Sequence, residues 1–514
     1  MRLGNWAVLL CATSALMAAC GSDDDSAPGG AGGGSAGAAG KGNAGVGNTA
    51  GKGEGGANDS AGSGNAGAGD TAGSAGEGGG TSEGGEGGGA AVTKKFTVTL
   101  ENVAGTKLFT SSGVFNTPVG DSGPGAATPG KKYEFSVDAG RKQKLSFATM
   151  LAATNDLFFG PNGDGIALYD GNGDPITADV TSQIHLWDAG TELNEEPHVG
   201  ANTVTKQSAP NTGPAEHANV VDIANAAGFA FNYPSVASVI KVSVAHTTGT
   251  LFKITIENVS SATALVTSEG NFPAPLSPGV WVVHNGKDPL FTVGMPDRGM
   301  GLENIAEDGA PSNLGSFAAA NSGITYPASP GAWVVHSAGS KPLFTAGVAD
   351  YGKGIEAIAE DGNATPLGSN LDSLAGELDG AVFNTPVGAS APGPILPGSK
   401  YQFSFKASPG DALSFASMLA ATNDVFFAPS ASGIPLFDAR GAAVTGDVSA
   451  QVSLWDAGTE GNEEPGIGPN TVTNQLAPNT GTAGEGKVQL LSATGDAYPY
   501  PTAQSVLKVS IAAE

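Results

Sequence analysis

From about residue 94 to its last residue the chain alternates apolar and polar positions in short runs. Phe96-Thr97-Val98-Thr99-Leu100 and Phe252-Lys253-Ile254-Thr255-Ile256 read as half-buried strands, with one apolar face and one polar face. Tyr133 to Val137 and Tyr401 to Phe405 alternate in the same way. So do the runs built on Ile240, Val242 and Val244 and on Leu507, Val509 and Ile511. Turn formers such as Asp170-Gly171-Asn172-Gly173 and Ser408-Pro409-Gly410-Asp411 lie between the runs. Many short strands joined by Gly/Pro turns predict an all-β protein made of antiparallel sandwiches with a few short helices.

The pattern is written twice. Thr154-Asn155-Asp156-Leu157-Phe158-Phe159 returns as Thr422-Asn423-Asp424-Val425-Phe426-Phe427, 268 positions on. Leu186-Trp187-Asp188-Ala189-Gly190-Thr191-Glu192 returns as Leu454-Trp455-Asp456-Ala457-Gly458-Thr459-Glu460 at the same offset, which also relates Phe115 to Phe383 and Asn211 to Asn479. A gapless repeat of this length predicts two copies of one folded unit. The expected modules are residues 94–247 and 250–514, divided near Thr247-Thr248-Gly249.

A second, shorter duplication lies inside the later module. Pro278 to His284 is echoed by Pro330 to His336, and Gly301 to Gly309 by Gly354 to Gly362. Leu302, Ile305 and Ala306 stand at helical spacing, with Gly309 as a stop, so each copy (278–309 and 330–362) predicts a strand and a short helix. The first expectation is a tandem insertion decorating the second module alone. The alternative is that one copy packs on each module and completes it.

Composition separates the N-terminal region from the rest. Residues 1–19 read as a secretory leader, with Arg2 ahead of an apolar run from Trp6 to Ala19 that is too short to span a membrane. Leu16-Met17-Ala18-Ala19-Cys20 resembles a bacterial lipoprotein cleavage box. That resemblance implies a lipidated Cys20, a membrane as partner, and an outer-membrane location on the cell surface or, alternatively, on the periplasmic face. Residues 20–93 are Gly, Ala and Ser with scattered charges and predict a disordered stalk, with a reach of roughly 45–50 Å. Two matches to G-x-S-x-G fall in it, outside any strand-turn-helix context, and composition accounts for both. The formal charge of −26 argues against nucleic-acid binding, which needs a basic face. The two cysteines, Cys11 and Cys20, lie in the leader and at its cleavage box, so the folded part is expected to have no disulfide and no thiol chemistry.

The acidic blocks carry the candidate chemistry. Asp188 and Glu192 flank the small turn Ala189-Gly190-Thr191, and Asp156 arrives from a neighbouring loop. Three clustered carboxylates repel and raise one another's pKa, and a bound cation resolves that repulsion. Calcium takes 6–8 oxygens from such loops. The expected ligands are Asp156, Asp188 and Glu192, with Asp424, Asp456 and Glu460 in the second copy, one calcium ion per module. The alternative is that Asp188 simply holds the backbone amides of a surface turn.

The same residues carry a family likeness. Leu145-Ser146-Phe147-Ala148-Thr149-Met150, Asn155-Asp156 and Trp187-Asp188-Ala189-Gly190-Thr191-Glu192 resemble the spondin domain, the adhesion module of F-spondin and mindin. The segment from Trp281 to Gly309 is similar to that family's strand and "AE-x-G" helix, and the likeness covers roughly residues 94–514. It implies a β-sandwich similar to calcium- and lipid-binding domains, a calcium ion at one end, binding to an extracellular protein or glycan, and no catalysis. The chain departs from the animal proteins at Glu192 and Glu460, where they carry Asp.

Other acidic and histidine motifs are weaker. Glu195-Glu196 and Glu463-Glu464 are the carboxylates that a competing reading, an extracellular polysaccharide hydrolase, would use. A third reading is a structural spacer without a ligand. Asp170, Asn172 and Asp174 begin like a helix-loop-helix calcium loop, but Pro175 and Thr181 stand where that loop needs Gly and Glu. His284 and His336 close apolar strands and lack a partner at zinc-ligand spacing.

Overall fold

A computed structural model describes residues 92–225 and 230–514. The leader, Cys20 and nearly all of the stalk lie outside the described residues. The rest is all-β, in two sandwiches with short helices. The first sets a sheet of seven strands against one of four. The larger sheet runs in the order Ser111–Phe115, Leu276–His284, Lys144–Leu151, Leu157–Pro161, Ile184–Asp188 and Val221–Asp222, with Ile166–Ala167 paired to the side of Lys144–Leu151. The smaller runs Lys132–Asp138, Leu251–Asn258, Ile240–Thr248 and Ala178–Asp179.

Side-chain alternation builds two cores from each central strand. Leu145, Phe147 and Phe159 point between the sheets and meet Val242, Ile254 and Ile256. Their neighbours Ala148 and Phe158 point to the outer face and meet Leu302, Ile305 and Leu314 from helices Leu302–Asp308 and Ser312–Ala320. Residues 145–151 are therefore buried on both faces. Truncating one such aromatic costs about 3–5 kcal/mol. The second sandwich repeats both cores, with Phe415 and Phe427 inside and Phe426, Ile355 and Ile358 outside.

The chain does not build the sandwiches one after the other. Strand Lys94–Asn102 pairs antiparallel with Lys400–Ala407 and Leu507–Ala513, so it belongs to the second sandwich. The chain then crosses to the first, completes it by Ala320, and returns to the second at strand Ala328–Ser337. Outgoing and returning segments run side by side: the Phe109 amide donates to Asn321 O at 3.2 Å, and the Lys107 amide donates to Thr325 Oγ1 at 2.9 Å. The first sandwich is thus an insertion between Asn102 and Ala328 of the second. The site that takes the insertion holds only the hairpin Leu265–Thr267/Gly270–Phe272 in the first sandwich.

The boundary expected near Thr247–Gly249 is corrected by this pairing. It is the turn of the hairpin Ile240–Thr248/Leu251–Asn258, inside the first sandwich. The corresponding strands of the second sandwich are the first and last of the described chain. They meet where the Glu514 amide donates to Lys95 O at 2.9 Å and Lys95 Nζ pairs with Glu514 Oε2 at 2.9 Å. The inserted copy is therefore a circular permutant of its host. The expectation that both strand-helix units decorate one module is corrected as well. Strand Leu276–His284 pairs with Ser111–Phe115 and Lys144–Leu151, so the first unit completes the first sandwich. The second unit completes the second through strands Glu377–Phe383 and Asp411–Leu419. Both helices stop as expected, at Gly309 and Gly362 in the left-handed conformation (φ 63° and 65°).

Candidate metal centre

Register places the acidic pair. Leu157 lies opposite Asp188 in the antiparallel pair Leu157–Pro161/Ile184–Asp188, so Asp156 and Asp188 emerge side by side at one end of the sheet. Asp188 holds the turn that follows it: Oδ1 accepts from the Gly190 amide at 2.6 Å and Oδ2 from Asn194 Nδ2 at 2.5 Å. Asp156 Oδ2 accepts from the amides of Thr191 and Glu192 at 3.3 and 3.2 Å. Its other oxygen, Oδ1, is buried without a hydrogen-bond partner.

The third carboxylate is Glu216. Oxygens of Asp156, Asp188 and Glu216 lie within 4.8 Å of one another, the one such group among the described residues. Glu216 sits on the returning limb of the long loop after Asp188, tied down where its amide donates to Thr191 O at 3.0 Å. Its Oε2 is buried and unpartnered, as is Asn194 Oδ1. Burial, then the charge of Asp188, holds the Asp156 carboxyl well above the usual carboxylate range, and the same two causes raise Glu216. The unsatisfied groups of Asp156, Glu216 and Asn194 are oxygen acceptors, and neither histidine nor cysteine is in the set. That chemistry fits a hard cation such as calcium.

Glu192 does not bring its carboxylate to this point. Its Oε1 accepts from the Gly213 amide at 2.7 Å, and its Oε2 is 3.5 Å from Asn155 Nδ2. Glu192 gives the site only its amide, donated to Asp156, and uses its side chain to brace the loop limb that carries Glu216. An added Cβ at Gly213 would lie 2.2 Å from Glu192 Cδ, so any other residue there would displace the Glu192 carboxylate.

The second copy keeps the pair and loses the third member. Asp456 accepts from the Gly458 amide at 2.5 Å and from Asn462 Nδ2 at 2.7 Å, and Asp424 Oδ2 accepts from the Glu460 amide at 3.2 Å. Asp424 Oδ1 is again buried and unpartnered, and burial with the Asp456 charge pushes that carboxyl up to about 8. Glu460 braces Gly481 at 2.6 Å as Glu192 braces Gly213. Gly484 stands where Glu216 does in the first copy. Asp496 approaches from another segment, its Oδ2 sharing Asn462 Nδ2 with Asp456 at 2.9 Å. The Tyr500 hydroxyl nearby is buried without a partner, and burial followed by the charges of Asp496 and Asp424 raises its pKa.

Most side chains of the remaining motifs are satisfied within the fold. Glu195 is bonded to the amide and side chain of Asn202 at 2.7 and 2.6 Å, and Glu463 likewise to Asn470. Glu196 accepts from the amide and hydroxyl of Ser268. Asp170 Oδ1 caps its own turn through the amides of Asn172 and Asp174. His284 Nε2 meets Ser146 Oγ at 2.9 Å and His336 Nε2 meets Ser414 Oγ at 3.0 Å, both pairs buried.

No family model matches the chain, and no curated protein is significantly similar to it. Among the described residues, no helix is long and apolar enough to cross a membrane.

Proposed function

We propose that this protein is a cation-stabilised, non-catalytic recognition protein: two spondin-like sandwiches held away from a membrane by a Gly-rich stalk and a lipidated Cys20. Its ligand would be an extracellular protein or glycan met at the bacterial surface. The observation that carries the cation is the buried, unpartnered Asp156 Oδ1 beside Asp188 and Glu216. Calcium would be held there by those three carboxylates and by Asn194 Oδ1, and at the second site by Asp424 and Asp456. When bound, the ion supplies the positive charge that the acidic end lacks. Asp156 and Asp188 belong to the sheet end, while Glu216 belongs to the far limb of the loop, so coordination would tie the loop to the sheet. A rigid loop can present a binding surface without ordering it anew for each ligand. Of the four glutamates that a hydrolase reading would use, Glu195, Glu196 and Glu463 are bonded to groups of the loops and to Ser268.

Thermal unfolding of the full chain in excess calcium and in excess chelator tests the cation. A melting temperature that does not move sinks the reading. Incorporation of a labelled fatty acid, abolished by Cys20→Ser, tests the anchor.

A further inference from the structure

The loop that carries Glu216 has a second set of tethers. Residues 189–220 run from the end of one sheet strand to the next with no regular element between them. A loop this long without secondary structure is uncommon in a compact domain, and its ordering has to be offset by contacts. Two of those contacts reach helix Leu302–Asp308. Gln207 Nε2 donates to Asp308 Oδ1 at 2.9 Å, and Asn211 Nδ2 donates to Glu303 Oε1 at 2.8 Å. Asn211 takes the left-handed conformation (φ 54°) to do so, one that Asn tolerates better than most residues.

The second copy repeats both tethers with the same residue types. Gln475 donates to Asp361 Oδ1 at 3.0 Å, and Asn479, also at φ 54°, donates to Glu356 Oε1 at 3.3 Å. The helices come from the strand-helix units, which reach their sandwiches at different points along the chain. The loops come from the repeat at offset 268. Each latch therefore joins two segments with different sequence offsets, and both copies preserve it.

We infer that Gln207 and Asn211, through Asp308 and Glu303, are positioning residues that set the distance of Glu216 from Asp156 and Asp188, and so fit the first site to calcium over magnesium. The inference rests on the cation reading given above. Magnesium demands a tight octahedron at about 2.0–2.1 Å, and calcium accepts a looser shell of about 6–8 oxygens at about 2.3–2.6 Å. A loop latched at two points cannot contract freely onto the smaller ion. Released, it tolerates either.

The test is titration calorimetry of the full chain with calcium chloride and with magnesium chloride, in an Asp424→Asn/Asp456→Asn background that silences the second site. Asn211→Asp sets a like charge against Glu303 on the exposed side of the latch. It is expected to weaken calcium binding about tenfold and to lower the calcium-to-magnesium ratio, with little change in the melting temperature measured in chelator. Adding Glu303→Gln should restore both readouts, since the new amide can donate to the introduced carboxylate. Gln207→Ala, which leaves no like charges together, serves as an independent release of the latch. If the parent binds calcium and loses it on Glu216→Gln, while both latch variants keep affinity and ratio, the inference fails and the cation reading stands. If the parent binds no calcium, both fail.

Discussion

Asn102 and Asn258 make the same pair of buried hydrogen bonds in the two sandwiches. Asn102 Nδ2 donates to Tyr326 O and Ile395 O at 2.8 and 3.0 Å, and Asn258 Nδ2 donates to Ala274 O and Ala127 O at 2.8 and 2.7 Å. Each ends a strand of its sandwich's four-stranded sheet and ties it to the segment leading into the strand-helix unit. In the second sandwich that segment is reached only after the whole first sandwich has been threaded. Asn102→Ala leaves the Tyr326 carbonyl without its donor, at about 1–3 kcal/mol, and takes one of two donors from Ile395 O, which keeps the Ala328 amide. It should lower the stability of the second sandwich alone, read as lost hydrogen-exchange protection in strands Lys94–Asn102 and Leu507–Ala513. Asn258→Ala should do the same to Ile240–Thr248 and Leu251–Asn258. Loss spread evenly over both sandwiches from either variant would contradict the nested arrangement.

The insertion predicts an excision. A fragment of residues 106–324 holds all strands of the first sandwich, and its ends already lie together through Phe109 and Asn321. It should unfold cooperatively on heating and show the far-ultraviolet signal of an antiparallel sheet. A fragment cut at the linear boundary, residues 92–248, lacks Leu251–Asn258 and Leu276–His284, the strands that fill the centre of both sheets. It should fail to fold. A stable 92–248 fragment would overturn the permuted topology.

Much of this was legible in the alternating residues and the repeat. Phe96, Tyr133 and Val242 sit in cores as their alternation predicts, and Leu302 and Ile305 turn inward from a helix that stops at Gly309. Asp156 and Asp188 stand together because two strand ends in antiparallel register share an edge, and the fixed spacing in both copies marks them. The nesting was not legible. The offset of 268 holds only for segments that keep their order, while Phe96 and Phe252 or Trp281 and Trp333 are related by other offsets. Local alternation does not say which strand a given strand pairs with. Glu216 was hidden for a related reason: Gly484 at its counterpart removes it from any pattern based on repetition, whereas Glu192 recurs as Glu460 and drew the assignment. A Glu that recurs at a buried turn serves a need common to both copies, and here that need is bracing a glycine amide.

Glu192 and Glu216 should therefore separate under mutation. Glu216→Gln removes a charge from the cluster and relieves repulsion, so the protein without cation should be unchanged or slightly more stable while calcium binding falls at least tenfold. Glu192→Gln weakens a buried, charge-assisted bond to the Gly213 amide and should cost about 1–3 kcal/mol with or without the ion. Denaturant titrations in chelator and in calcium measure both. Equal loss from the two variants in chelator would remove the distinction between ligand and brace. The two sites should also differ in affinity. Asp156→Asn should abolish the tighter calorimetric event and Asp424→Asn the weaker one, because Asp424 and Asp456 have no counterpart of Glu216.

The buried carboxyls fix the sign of the pH dependence. Burial, with Glu192 and Glu303 adding repulsion, pushes Glu307 up to about 8. Burial, with Glu460 and Glu356, pushes Glu360 up to about 7. Asp424 joins them at about 8. A carboxyl whose folded pKa exceeds its unfolded value binds more protons in the folded state, so stability falls as pH rises between the two values. In chelator, the melting temperature should therefore decline from about pH 4.5 to pH 8, and Glu307→Gln should flatten the upper part of that decline. Calcium reverses the trend at the aspartates, since a ligand must lose its proton to bind the ion. The gap between the calcium and chelator curves should widen as pH rises from 5 to 8, and Asp156→Asn should shrink it. A gap that narrows over that range would mean that the protons on Asp156 and Asp424 do not compete with the cation.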